Sequence, residues 1–136
     1  MTNPATDYES QNPRVTMPKA VYDRALLGAL QLSRTEDQPI TRRDLVETAI
    51  ATYLEQAQQA RAAGQPLTAE RVAIRSGSPG VRISAALRAE LAAEARQQSV
   101  EQASDIGVGH VATAAITSYL DARGIPFPAS NPPSSP

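Results

Sequence analysis

Asn12-Pro13-Arg14-Val15-Thr16-Met17-Pro18 and, 66 residues further on, Ser78-Pro79-Gly80-Val81-Arg82-Ile83-Ser84 are the stretches that decide how this chain folds. In both, apolar and polar side chains alternate with period two, the pattern of a strand with one covered face. Both then run into a helix start. Proline is accepted there because its missing N–H would have no helical partner, and serine offers a capping hydroxyl. With residues 15–54 laid on 81–120, ten of forty positions are identical without a gap: Val15/Val81, Ala20/Ala86, Ala29/Ala95, Gln31/Gln97, Ser33/Ser99, Ile40/Ile106, Ala49/Ala115, Ile50/Ile116, Tyr53/Tyr119 and Leu54/Leu120. Met17/Ile83, Val21/Leu87 and Leu45/Val111 keep the large apolar residues in step. The chain is an internal duplication.

Each copy reads strand, helix, helix. Val21, Ala25, Ala29 and Leu32 give the first helix an apolar face, as Leu87, Leu91 and Ala95 do in copy two. Polar loops follow, Ser33–Pro39 and Ser99–Asp105. The second helix begins after Ile40 or Ile106, and Thr41 with Asp44 has the spacing of a capping box. Its buried face is Leu45, Ala49, Ile50, Tyr53 and Leu54, mirrored by Val111, Ala115, Ile116, Tyr119 and Leu120, which makes both tyrosines core residues. Gly64 and Gly124-Ile125-Pro126 are helix stops. The expected division is a polar tail at 1–11, copy one at 12–60, a linker at 61–77, copy two at 78–125 and a Pro/Ser-rich tail at 126–136. Neither tail has the apolar content to bury a core, so both are expected to be disordered. A short linker helix over Leu67–Val72 fits the pattern.

A lone short strand leaves its backbone groups without partners. Two copies solve this by pairing their strands. The expected fold is mainly α with a two-stranded antiparallel β-ribbon, a tandem pseudo-dimer with four helices beneath the ribbon. Val15, Met17, Val81 and Ile83 then point inward; Asn12, Arg14, Thr16, Ser78, Gly80 and Arg82 point outward. A ribbon bearing guanidinium, amide and hydroxyl groups suits the major groove of DNA, which admits two strands and presents a distinct donor and acceptor pattern for each base pair. About 20 linker residues, at ~3.3 Å each, span far more than a small domain, so both strands can come from one chain; a swapped pair of chains is the alternative.

Val15-Thr16-Met17-Pro18-Lys19-Ala20-Val21 and Val81-Arg82-Ile83-Ser84-Ala85-Ala86-Leu87 resemble the strand-to-helix signature of the ribbon-helix-helix superfamily. The resemblance implies bases read by Asn12, Arg14, Thr16, Ser78 and Arg82. It also implies phosphates anchored at the start of each second helix, by Thr41, Arg42 and Arg43 in copy one and by Gly107 and Val108 in copy two. Gly107-Val108-Gly109-His110 has no hydroxyl cap and no arginine, and Gly80 has no side chain to read with, so copy two is expected to be the weaker half. Tandem copies in one chain resemble accessory factors of plasmid conjugation and T-DNA transfer, which implies a relaxase or another DNA-processing protein as partner. Transcriptional repression, plasmid maintenance and an antitoxin-like interaction module are the other roles the superfamily suggests.

The net charge of −1 counts against strong non-specific binding, although Arg14 to Arg43 holds six basic residues against three acidic ones. No apolar run is long enough for a membrane span, no secretory signal is visible, and cysteine is absent, so a bacterial cytoplasmic protein is expected. His110, the sole histidine, is expected on an exposed helix face and cannot build a zinc site or a hydrolase triad without partners. No phosphate-binding glycine loop is present. Neither catalysis nor a cofactor is expected.

Overall fold

A computed structural model describes residues 13–128, in the order β1 (Arg14–Thr16), α1 (Lys19–Glu36), α2 (Arg42–Ala62), β2 (Gly80–Arg82), α3 (Ala85–Gln102) and α4 (Val108–Ala122). The molecule is mainly helical, with one two-stranded antiparallel sheet. Its register is Arg14↔Arg82, Val15↔Val81 and Thr16↔Gly80. Two further bonds extend the pairing by one residue at each end: Met17 N–H to Pro79 O and Ile83 N–H to Pro13 O, both 3.0 Å. Pro79 and Pro13 have no N–H to return, which stops the ribbon at both ends. Val15, Met17, Val81 and Ile83 are all buried beneath it.

The main helix contacts have counterparts one repeat away. The second helices α2 and α4 pack on each other; α1 lies on α2 and α4, as α3 lies on α4 and α2; α2 passes under β2 and α4 under β1. The buried residues form one continuous core that draws on both copies, including Leu45, Ile50, Tyr53, Leu91, Val111, Ile116 and Leu120. Tyr119 departs from its expected place. It is half-buried at the rim, with the Arg123 guanidinium stacked 3.5 Å above its ring.

The first helices run four residues further than their polar character suggests, because Ser33 and Ser99 act inside the last turn. Each hydroxyl donates to the carbonyl four residues back, Ala29 or Ala95 (2.7 and 2.9 Å). Each Oγ also accepts the N–H of Ile40 or Ile106 at 2.9 Å. The chain then turns at a left-handed residue, Asp37 (φ 53°) or Ala103 (φ 50°). After α2 and α4 the same ending recurs at a different spacing: Gln65 N–H bonds Ala60 O and Ile125 N–H bonds Leu120 O, with left-handed Gly64 and Gly124 between.

Linker residues 65–75 form no helix. Pro66 interrupts the amide supply at its start, and an extended path lets Ala69 dock in the core against Gln98. At the C-terminal end, Ile125 is buried and the buried Arg24 donates to Ile125 O and to Asp121, with Phe127 stacked 4.5 Å over its guanidinium. Phe127, placed in the tail from composition, thus meets α1; residues 129–136 of that tail and residues 1–12 lie outside the described residues.

Candidate nucleic-acid interface

The outer face of the ribbon carries Arg14 and Arg82 directly opposite each other, both exposed, then half-buried Thr16 opposite Gly80. The missing side chain at 80 has a use. A Cβ there would stand 2.9 Å from Arg14 Nε and 3.0 Å from Val15 O, so glycine leaves the lane through which Arg14 crosses the ribbon. Gly80 therefore makes room for Arg14 rather than merely subtracting a contact. Ser78 stands in the turn before β2, where its Oγ accepts the Arg75 N–H at 2.9 Å. Its place is the ribbon's end, outside the paired strands. Asn12 lies outside the described residues.

Flanking the ribbon, α2 starts with a complete capping box: Thr41 Oγ1 accepts Asp44 N–H at 3.0 Å, and Asp44 accepts Thr41 N–H at 2.9 Å. Those bonds hold the Asp44 carboxyl below its usual range, the Thr41 backbone N–H contributing most and its hydroxyl next. A depressed pKa makes this cap effective above the ordinary carboxylate range, and its stabilisation fades as pH falls through the lowered value. Arg42 Nε donates to Tyr22 O at 3.1 Å and its guanidinium lies 3.7 Å over the Tyr22 ring, which fixes its stem on α1. Arg43 pairs with Glu47 at 3.4 Å. Glu47 in turn accepts Ser84 N–H at 2.8 Å, tying the start of α2 to the ribbon's exit into α3. One repeat away stand Thr113 and Pro18; proline has no N–H to offer, and no carboxylate is present to receive one.

The start of α4 is built differently. His110 falls where Asp44 falls in copy one, and its Nδ1 accepts Gly107 N–H at 2.9 Å. That geometry puts the ring proton of the neutral side chain on Nε2. His110 is half-buried and caps its helix, against the expectation of an idle surface residue; aligning the two copies places it opposite an acidic capping residue, a signal that was present in the sequence. His110→Ala should lower stability by about 0.5–2 kcal/mol, as losing a cap does, while His110→Asp should retain it; equal thermal midpoints for parent and alanine variant would remove this role. Gly107 and Val108 are half-buried, and one of the amides assigned to phosphate is already used by His110. At Gly109 a Cβ would meet Ile74 Cδ1 at 2.6 Å and Thr16 O at 2.8 Å, so the linker and the ribbon both rest on this position. Nothing in the local sequence marked that contact, because Ile74 is remote in the chain.

The two halves are thus unequal in charge. The surface arginines Arg14, Arg42, Arg43 and Arg82 correspond across the repeat to Gly80, Val108, Gly109 and Thr16. Among the described residues no helix is long and apolar enough to cross a membrane, and no three His, Cys, Asp or Glu side chains gather as a metal site. Compared with family models, with curated proteins and with solved structures, the chain finds no match in any of the three.

Proposed function

We propose that this chain binds double-stranded DNA with sequence preference, as a tandem ribbon-helix-helix protein whose two copies form a pseudo-dimer within one polypeptide. The observation that carries this reading is the β1–β2 pairing, which joins the two repeats and sets Arg14, Thr16 and Arg82 on the face away from the core. A two-stranded ribbon is narrow enough for the major groove. Arg14 and Arg82 are bidentate donors suited to guanine O6 and N7, and Thr16 has a methyl group for thymine. Like charges directly across a ribbon oppose pairing, and a polyanion laid on that face reverses the effect. At the flank, Thr41, Arg42 and Arg43 stand at a helix start, where the dipole favours an anion.

No step of this role needs catalysis or a cofactor. In the cell it fits an accessory protein of plasmid transfer, marking DNA for a relaxase in the bacterial cytoplasm, with plasmid maintenance or transcriptional repression as the neighbouring role.

Selection from a pool of random duplexes tests the reading. The expected result is a recovered motif that is not palindromic, with guanine under the Arg14/Arg82 end of the ribbon, because the outward residues of the two copies differ. A pool that stays random after repeated rounds would refute DNA recognition.

A further inference from the structure

The start of α4 lacks the cations found at the start of α2, yet another basic segment lies beside it. Ile74 sits on Gly109, the counterpart of Arg43. The next residue, Arg75, is exposed and opens a tight turn: Gly77 and Ser78 N–H both bond Arg75 O (3.1 and 3.0 Å), and Ser78 Oγ accepts Arg75 N–H. Immediately after Ser78, Pro79 O receives Met17 N–H, so the turn abuts the ribbon end that Arg14 and Arg82 leave uncharged. Gly77, at φ 154°, gives the turn a backbone shape that side chains other than glycine rarely adopt.

These placements bring a hydrogen-bonded cationic turn to the half of the surface that the repeat left neutral. We propose that the linker turn Arg75–Ser78 is the second backbone clamp of the DNA interface, with Arg75 taking a phosphate on the side of the duplex that α4 cannot hold. The inference rests on the DNA-binding reading. It replaces a clamp made of two equivalent helix starts by one made of a helix start and a linker. Ile74 is what holds the turn there, as its side chain packs on the one position of α4 that has no Cβ.

The test uses the full chain and a duplex recovered from the random pool. Arg75→Ala and Arg75→Gln should each weaken binding roughly five- to tenfold at about 0.1 M salt, equally on recovered and scrambled duplexes, and reduce the salt slope by about one. Arg34→Ala, an exposed arginine in the last turn of α1, should leave both unchanged. Ethylation interference should lose a phosphate cluster in Arg75→Ala on one side of the motif and in Arg42→Ala on the other. If Arg75→Ala keeps the parental slope and interference pattern while Arg42→Ala loses its cluster, the linker clamp is wrong and DNA binding stands. If the parent protects no duplex, both fall.

Discussion

Replacing Arg82 by alanine should cost about 1–3 kcal/mol of affinity for the recovered duplex, and Arg14→Ala a similar amount, with little change on a scrambled duplex. Together they should remove most discrimination between the two, the largest functional effect expected in this chain. The reason is geometric. A guanidinium can present two parallel N–H donors to one guanine edge, and the outer face of the ribbon has only these two arginines among the described residues. Neither side chain is buried, so stability should stay within about 0.5 kcal/mol of the parent. Lysine keeps the charge but not the paired donors, so Arg82→Lys should hold scrambled DNA like the parent while losing preference for the motif. Fluorescence anisotropy on the two duplexes reads both effects. If both alanine variants discriminate as the parent does, the bases are read elsewhere.

Gly80 adds a specific expectation. Because Arg14 passes over it with no space for a Cβ, Gly80→Ala should displace Arg14 and weaken motif binding although no side chain capable of a base contact is removed. That separates a lane for Arg14 from a merely degenerate position.

What sequence could and could not disclose follows from the range of the forces involved. Period-two alternation at Val15/Met17 and Val81/Ile83, and helical spacing at Leu45/Ile50/Leu54 and their counterparts, are local signals set by which face is covered, and those residues are buried as expected. The Thr41/Asp44 box is likewise local, closed within four residues. Contacts between distant residues left no such mark. Gln98 reads as a polar residue on a helix, Gly109 as a weak helix start and Glu47 as a surface carboxylate. Their roles come from Ala69, Ile74 and Ser84, brought to them only by the folded chain. Copy-to-copy differences were the one usable hint: leucine at 32 against glutamine at 98 marks a polar partner present in one copy alone, and His110 against Asp44 marks a capping position.

Gln98 is where that hint has the largest energetic consequence. Its side chain is fully buried, and its amide is engaged on both sides. Oε1 accepts Ala69 N–H at 2.6 Å, while Nε2 donates to Tyr53 Oη at 3.0 Å and to Glu94 Oε2 at 2.8 Å. Glu94, itself buried, also takes two donors from Arg61 at 3.1 and 2.9 Å, and Arg61 reaches Glu101 as well. One amide thus holds the linker, α2 and α3 together. Gln98→Leu reproduces the residue type at 32 and costs no apolar volume, but it leaves the Ala69 N–H and part of the Tyr53 and Glu94 polar groups buried without their partner. At about 1–3 kcal/mol for each buried group left unsatisfied, partly relieved by water, a loss of about 3–5 kcal/mol is expected in urea unfolding. Adding Glu94→Leu and Arg61→Leu to Gln98→Leu removes the stranded carboxylate together with its ion-pair partner, leaving only the Ala69 N–H and the Tyr53 hydroxyl, and should recover part of that loss, since a buried polar network is costly chiefly when half of it remains. Were Gln98→Leu as stable as the parent, the linker would not be pinned at Ala69, and the turn at Arg75 would lose the anchored segment that leads into it.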